Sequence, residues 1–175
     1  VIFFVLIIFS LELIIDYLQI TLNNFVTSMT KQKADILKEI IFQSGDIARK
    51  FFRNTDVFET KQDGSGVTIA DREIEQFIKI KLEENFPDIP VYGEELENLP
   101  EGNMQPDNFF IIDPIDGTAS FIAGKPSFTT LLGYVENGEA KIGLIYQPIS
   151  GELWLAYDDI CELSSPSTQS SQHNN

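Results

Sequence analysis

Phe109-Phe110-Ile111-Ile112-Asp113-Pro114-Ile115-Asp116-Gly117-Thr118 is the stretch on which the reading of this chain turns. Its first four residues form an apolar run suited to a buried strand. The two aspartates then emerge at the strand's C-terminal end, where ligands commonly bind in α/β sheets. Two acids three apart on a Pro-stiffened turn can face one point, with the Ile115 carbonyl between them as a third oxygen. Hard cations such as Mg²⁺ prefer carboxylates, carbonyls and water, and use few protein ligands beside a phosphate. Gly117 allows close backbone approach, and Thr118 adds a hydroxyl. A helix starting there, through Ser120 and Phe121, would offer free N–H groups to a phosphate.

A lone Asp-x-x-Asp-Gly is commonly only a surface turn, so its surroundings decide. Gly93-Glu94-Glu95 follows another short strand and offers more carboxylates. Val67-Thr68-Ile69-Ala70-Asp71 places an acid at a helix start, with Thr68 three residues before Asp71 as in a capping box. Each piece lies at the end of a secondary element, the usual place for site residues.

The flanks predict a compact domain. Ile36, Leu37, Ile40, Ile41, Ile47, Ala48, Phe51 and Phe52 recur at helical spacing. After the turn-rich Lys61-Gln62-Asp63-Gly64-Ser65-Gly66, a second helix buries Ile74, Phe77, Ile78 and Leu82 and is closed by Pro87. Pro90 to Tyr92 is a short extended piece. Thr129 to Val135 and Lys141 to Tyr146 flank Asn137-Gly138, a strong hairpin signal, and Glu152 to Ala156 follows a turn at Ser150-Gly151. Antiparallel strands beside helices predict the α/β class, as a layered α+β sandwich.

Three regions are expected: 1–28, 29–157 and 158–175. Val1 to Phe9 is unbroken apolar sequence, but Glu12 and Asp16 follow. Each acid costs roughly 2.5–3.5 kcal/mol at the centre of a membrane span on insertion scales. The basic start and small-residue cleavage site of a signal peptide are not visible. A weak membrane anchor through 1–22, a helix packed on a partner, and an extension foreign to the domain all remain open. The expected location is cytoplasmic. Met29 reads as a fresh start to the domain. The polar 158–175 segment reads as a disordered tail.

Composition narrows the chemistry. With 27 Asp+Glu against 12 Lys+Arg, the formal net charge is -15, and no basic stripe exists to bind nucleic acid. A small phosphorylated substrate is compatible with that surface if bound cations reverse the local field. Cys161 stands alone and His173 is the only histidine, in the polar tail. Chemistry here must therefore run on carboxylates, hydroxyls and metal.

Lys61-x-Asp63-x-Ser65-x-Val67-Thr68-x-Ala70-Asp71, then Gly93-Glu94-Glu95, then Asp113 to Thr118 resembles the inositol monophosphatase family. Gly124-Lys125-Pro126, Gln147-Pro148 and Gly151-Glu152-Leu153-Trp154 are similar to its histidinol-phosphatase-like and bisphosphate-nucleotidase-like branches. The resemblance covers about Met29 to Ala156 and implies the N-terminal half of that sugar-phosphatase fold. It implies that Glu94, Asp113, the Ile115 carbonyl and Asp116 hold Mg²⁺, with Asp113 bridging two ions. Thr118, paired with Asp71, would orient and deprotonate the metal-activated water. Gly117, Thr118 and Ala119 would offer N–H groups to the phosphate, with Glu94, Ile115 and Asp116 on the same substrate-binding side. The implied reaction is hydrolysis of a small phosphomonoester: an inositol phosphate, histidinol phosphate or nucleotide bisphosphate. The Asp-x-x-Asp spacing excludes the Asp-x-Asp chemistry of haloacid dehalogenases, and the spaced acids of an EF-hand are missing around Asp113.

Gly66 stands where relatives often have Pro. Nothing after Ala156 resembles the family's second half, which brings a further metal-binding Asp and most substrate-selecting groups. The sequence therefore carries the expectation of a C-terminal truncation. Two outcomes follow from it. One is a phosphatase, either through residual activity of this chain, with a homodimer among the expected partners, or through a second chain that completes the fold. The other is a non-catalytic fragment or metal-binding module.

Overall fold

A computed structural model of the chain describes residues 2–54, 58–60, 66–95 and 106–165, with side chains described from residue 15 onward except at 58–60. The predicted turn at 61–65 lies outside the described residues.

Helix α1 (Ile2–Phe51) is continuous across the boundary expected at residue 28. Its second half buries Ala34, Leu37, Ile41, Ser44 and Ala48 at alternating three- and four-residue steps, as an amphipathic helix should. Farther upstream Ile15, Leu18, Leu22, Phe25 and Met29 are exposed. No helix among the described residues is long and apolar enough to cross a membrane.

A two-stranded antiparallel ribbon, β1 (Phe58–Thr60) and β2 (Gly66–Thr68), leads into α2 (Ile69–Asn85). Thr68 caps α2 with the full reciprocal box expected with Asp71. Ile74, Ile78 and Leu82 are buried as expected, and so is Glu75. The helix ends at Asn85, two residues before Pro87.

The main sheet comprises β3 (Val91–Gly93), β4 (Phe109–Asp116), β5 (Thr129–Glu136), β6 (Glu139–Gln147), β7 (Glu152–Tyr157) and β8 (Ile160–Ser164), in that spatial order. β3 and β4 are parallel, and every later pair is antiparallel. Asn137 and Gly138 make the predicted hairpin turn with φ of 53° and 74°, the left-handed values a tight turn of this twist requires. β8 falls inside the segment expected to be a polar tail. A turn at Asp158, with φ 48°, folds it back on β7 with Tyr157 opposite Ile160. Residues 166–175 lie outside the described residues.

α1 and α2 cover one face of the sheet. Phe110, Ile112, Leu132, Tyr134, Leu144, Leu153 and Leu155 point into that core. None of the described residues covers the other face, so β4 is not buried on both sides as its apolar run predicts: Ile111 is 47% exposed. With Leu131, Gly133, Gly143, Ile145, Trp154, Ala156 and Cys161, Ile111 lines an open apolar groove of about 740 Å³. Glu94 and Asp113 stand at the same groove.

Candidate active site

The parallel pairing of β3 with β4 brings their C-terminal ends side by side, with Val91 opposite Phe110 and Gly93 opposite Ile112. The Glu94 N–H donates to the Ile112 carbonyl at 3.2 Å, carrying the ladder one residue further. Glu94 thereby arrives beside Asp113.

The aspartates do not follow the strand, as the sequence predicts; they are in it. β4 continues to Asp116, with Asp113 opposite Leu131 and Asp116 opposite Thr129. Three steps on β4 against two on β5 mean one extra residue, a β-bulge. In a regular strand, residues three apart point to opposite faces. The inserted residue cancels that reversal and returns both acids to one side. Pro114, which cannot donate to a ladder, lies beyond the last residue paired with β3, where none is required of it. The Pro114 carbonyl accepts from the fully buried Thr130 hydroxyl at 2.9 Å. Thr130→Val should therefore strand that carbonyl and lower unfolding free energy by about 1–3 kcal/mol. A urea denaturation curve indistinguishable from the parent's would remove Thr130 as the bulge's anchor.

After Asp116, Gly117 adopts φ 92°, ψ 38° and starts α3 (Thr118–Ile122). A side chain there would be strained, and its Cβ would lie 3.1 Å from the Ser127 carbonyl oxygen. Ser120 and Phe121 donate their N–H groups to the Gly117 carbonyl. Thr118 and Ala119, at the helix start, have no acceptor within the helix. Phe121 and Phe128 seat the turn against Phe52 of the α1 end, with ring centroids 4.9–5.9 Å apart.

Asp113 is the electrostatic centre. Its Oδ1 is buried and has no hydrogen-bond partner. Burial, then the like charges of Glu94 and Asp116, push its carboxyl up to about 7. Glu94 and Asp116 are exposed at the rim, and the Thr129 hydroxyl donates to Asp116 at 3.3 Å. No three His, Cys, Asp or Glu side chains among the described residues already converge as a metal cage. An orphaned, buried carboxylate oxygen with two like charges beside it is nonetheless the donor set that a hard cation fits.

Asp71 is buried at the start of α2. Its Oδ2 accepts from the Thr68 N–H at 2.7 Å and from the Thr68 hydroxyl at 2.6 Å. Burial raises its pKa, and the Thr68 bonds oppose the rise. Thr118 donates its hydroxyl to the Ile115 carbonyl at 2.9 Å. The Asp71–Thr118 pair expected from the resemblance is thus not a direct hydrogen bond here, since each residue has a local partner.

Glu75 was not singled out from the sequence, yet it lies within the site's framework. It is 2% exposed, and its Oε2 accepts from the Glu95 N–H at 3.0 Å. Its position four residues after Asp71, between the buried Ile74 and Ile78, was the available signal: an acid inside an apolar stripe.

The Inositol monophosphatase family model matches residues 27–165. The chloroplastic bifunctional phosphatase of Arabidopsis thaliana is 41% identical over 112 residues, covering 64% of this chain and 32% of that protein. The histidinol-phosphatase of Chlorobaculum parvum is 38% identical over 120 residues, covering 67% of this chain and 45% of that protein. Among solved structures, an IMPase of Thermotoga maritima superposes with a TM-score of 0.69 at 30% identity, covering 77% of this chain and 51% of that one. The chain thus spans between a third and a half of the length of these relatives. By the extent of the family match and the order in which β3, the bulged β4 and α3 deliver their acids and amides, the chain belongs to the inositol monophosphatase family.

Proposed function

We propose that this chain carries the metal- and phosphate-binding part of a Mg²⁺-dependent phosphomonoesterase acting on a small phosphorylated metabolite. The observation that carries the reading is the orphaned, buried Asp113 Oδ1 between Glu94 and Asp116. Glu94, Asp113, the Ile115 carbonyl and Asp116 would hold the cation. The Ile115 carbonyl, with two lone pairs, can accept from Thr118 and still face it. Bound by these residues, a cation would neutralise charge on the phosphate and would lower the pKa of a water toward neutrality.

The chain's own groups do the rest. Gly117 lets a phosphate approach the backbone, and the N–H groups of Thr118 and Ala119 donate to its oxygens. Thr118 orients the attacking water once its hydroxyl turns from the Ile115 carbonyl. Asp71, held by Thr68 and raised by burial, takes up the proton. The formal net charge of -15 disfavours nucleic acid as a substrate. A cytoplasmic setting fits this chemistry.

The uncovered apolar groove supports a second reading, in which this part binds metal but turns over only when further polypeptide covers β4 to β8. That cover would be a second copy, another chain or further residues of the same polypeptide. Phosphate release with and without Mg²⁺, from inositol phosphate, histidinol phosphate and a nucleotide bisphosphate, tests both. Turnover abolished by EDTA is the expected result. A folded chain that binds Mg²⁺ without turnover selects the second reading, and one that binds no Mg²⁺ overturns both.

A further inference from the structure

We propose that Glu75 is a positioning residue that holds Glu94 in place for the cation, acting from α2 across the end of β3. Two observations meet at this side chain. Its carboxylate accepts the N–H of Glu95, the residue directly after Glu94. It also lies flat against Gly93, the residue directly before: a Cβ on Gly93 would run into the Glu75 carboxyl, with Oε1 only 2.7 Å away. Glu94 is therefore bracketed, one neighbour fixed by a hydrogen bond and the other by contact, both to one buried carboxylate.

The geometry explains why that carboxylate is buried. Asp71 and Glu75 are one helical turn apart and share a face of α2. α2 packs on β3 and β4, so the face carrying Asp71 at the helix start carries Glu75 against the strand end. A buried carboxylate is costly unless it is hydrogen-bonded. The Glu95 N–H supplies such a bond just past Gly93, the last residue of β3 paired with β4. Gly93 is fixed by the same contact, because any side chain there would lever the carboxyl away from Glu95. The brace thus turns a loose strand exit into a defined position for the Glu94 side chain, which reaches outward from it to the rim.

This inference rests on the Mg²⁺ reading above, and its test separates the two. Mg²⁺ binding by calorimetry is compared for the full chain and for Glu75→Ala, Glu75→Gln and Gly93→Ala, with amide exchange at Glu95 followed without metal. Glu75→Ala should weaken Mg²⁺ binding by roughly 10–100-fold, the range typical of partners that orient metal ligands. Exchange at the Glu95 amide should accelerate by roughly tenfold as local protection is lost. Glu75→Gln keeps both the volume and a side-chain carbonyl for the Glu95 N–H and should restore most of both, whereas a Glu75→Leu control, which fills the space without an acceptor, should not. Gly93→Ala, at the strand end, should reproduce the loss even if Glu75→Ala fails to fold. Parent-like Mg²⁺ affinity in folded Glu75→Ala, or in Gly93→Ala, overturns the proposal. A parent chain that binds no Mg²⁺ sinks the functional reading, while the exchange data still decide whether Glu75 holds the segment.

Discussion

Asp113→Asn is expected to lower Mg²⁺-dependent phosphate release by well over 100-fold, beyond the usual cost of losing an outer partner of a metal ligand. It should do so without lowering the stability of the metal-free chain at pH 8. The two halves of that expectation come from one fact. Burial and the charges of Glu94 and Asp116 oppose ionisation of Asp113, so without a cation its charge is a burden on the fold. Asparagine has nearly the same volume and no charge, which relieves the repulsion and removes the anionic ligand. Thermal unfolding in EDTA and phosphate release in Mg²⁺ measure the two sides; calorimetric Mg²⁺ affinity carries the second where turnover is below detection. Phosphate release or Mg²⁺ affinity equal to the parent's would remove Asp113 from the site. A fall in metal-free stability of more than about 1 kcal/mol would make it a structural residue instead.

Much of this architecture can be read from residue patterns alone. The three-four spacing of α1 and α2, the Thr68–Asp71 box and the Asn137-Gly138 turn are local signals, and local energetics decide them. What eludes the sequence depends on partners distant in the chain. The bulge between Asp113 and Asp116 is a property of register against β5, fixed by Thr130 sixteen residues after Pro114. A reading of β4 alone ends the strand at Ile112, because two aspartates and a proline resemble a turn. β8 escapes notice for a related reason: five residues containing only Ile160, Cys161 and Leu163 as apolar groups form a strand only because β7 offers its edge.

The site divides along the same line. Glu94, Asp113, Ile115, Asp116, Gly117, Thr118 and Ala119 stand together because adjacent strand ends and a glycine turn place them there. Asp71 stands on α2 with its Oδ2 held by Thr68, and the Thr118 hydroxyl is turned to the Ile115 carbonyl. Short-range bonds of this kind compete with any functional pairing and are invisible to motif spacing. Glu75 illustrates the opposite failure. Helical periodicity places it inside the apolar stripe, but its acid type points to solvent, and its burial against Gly93 and the Glu95 N–H decides between the two.

The pH dependence of metal binding follows from the same carboxylate. Asp113 titrates at about 7 in the metal-free fold, above the ordinary value of 3.8 that the unfolded chain would show. The folded state thus holds a proton that the unfolded state releases. Its contribution to stability is complete below about pH 4 and is lost as pH rises through 7, so the metal-free chain should be less stable at pH 8 than at pH 5. A cation reverses that slope, since it binds the ionised form and must displace the proton first. Below pH 7 the apparent Mg²⁺ affinity should fall about tenfold per pH unit, or roughly 100-fold between pH 7 and 5. Near pH 6, binding should release close to one proton, seen as a buffer-dependent calorimetric heat. Asp113→Asn should remove this residue's share of the slope in metal-free stability, leaving that of the buried Asp71, and should abolish the proton release. A Mg²⁺ affinity constant from pH 5 to 8 would mean that the cation sits elsewhere than on Asp113.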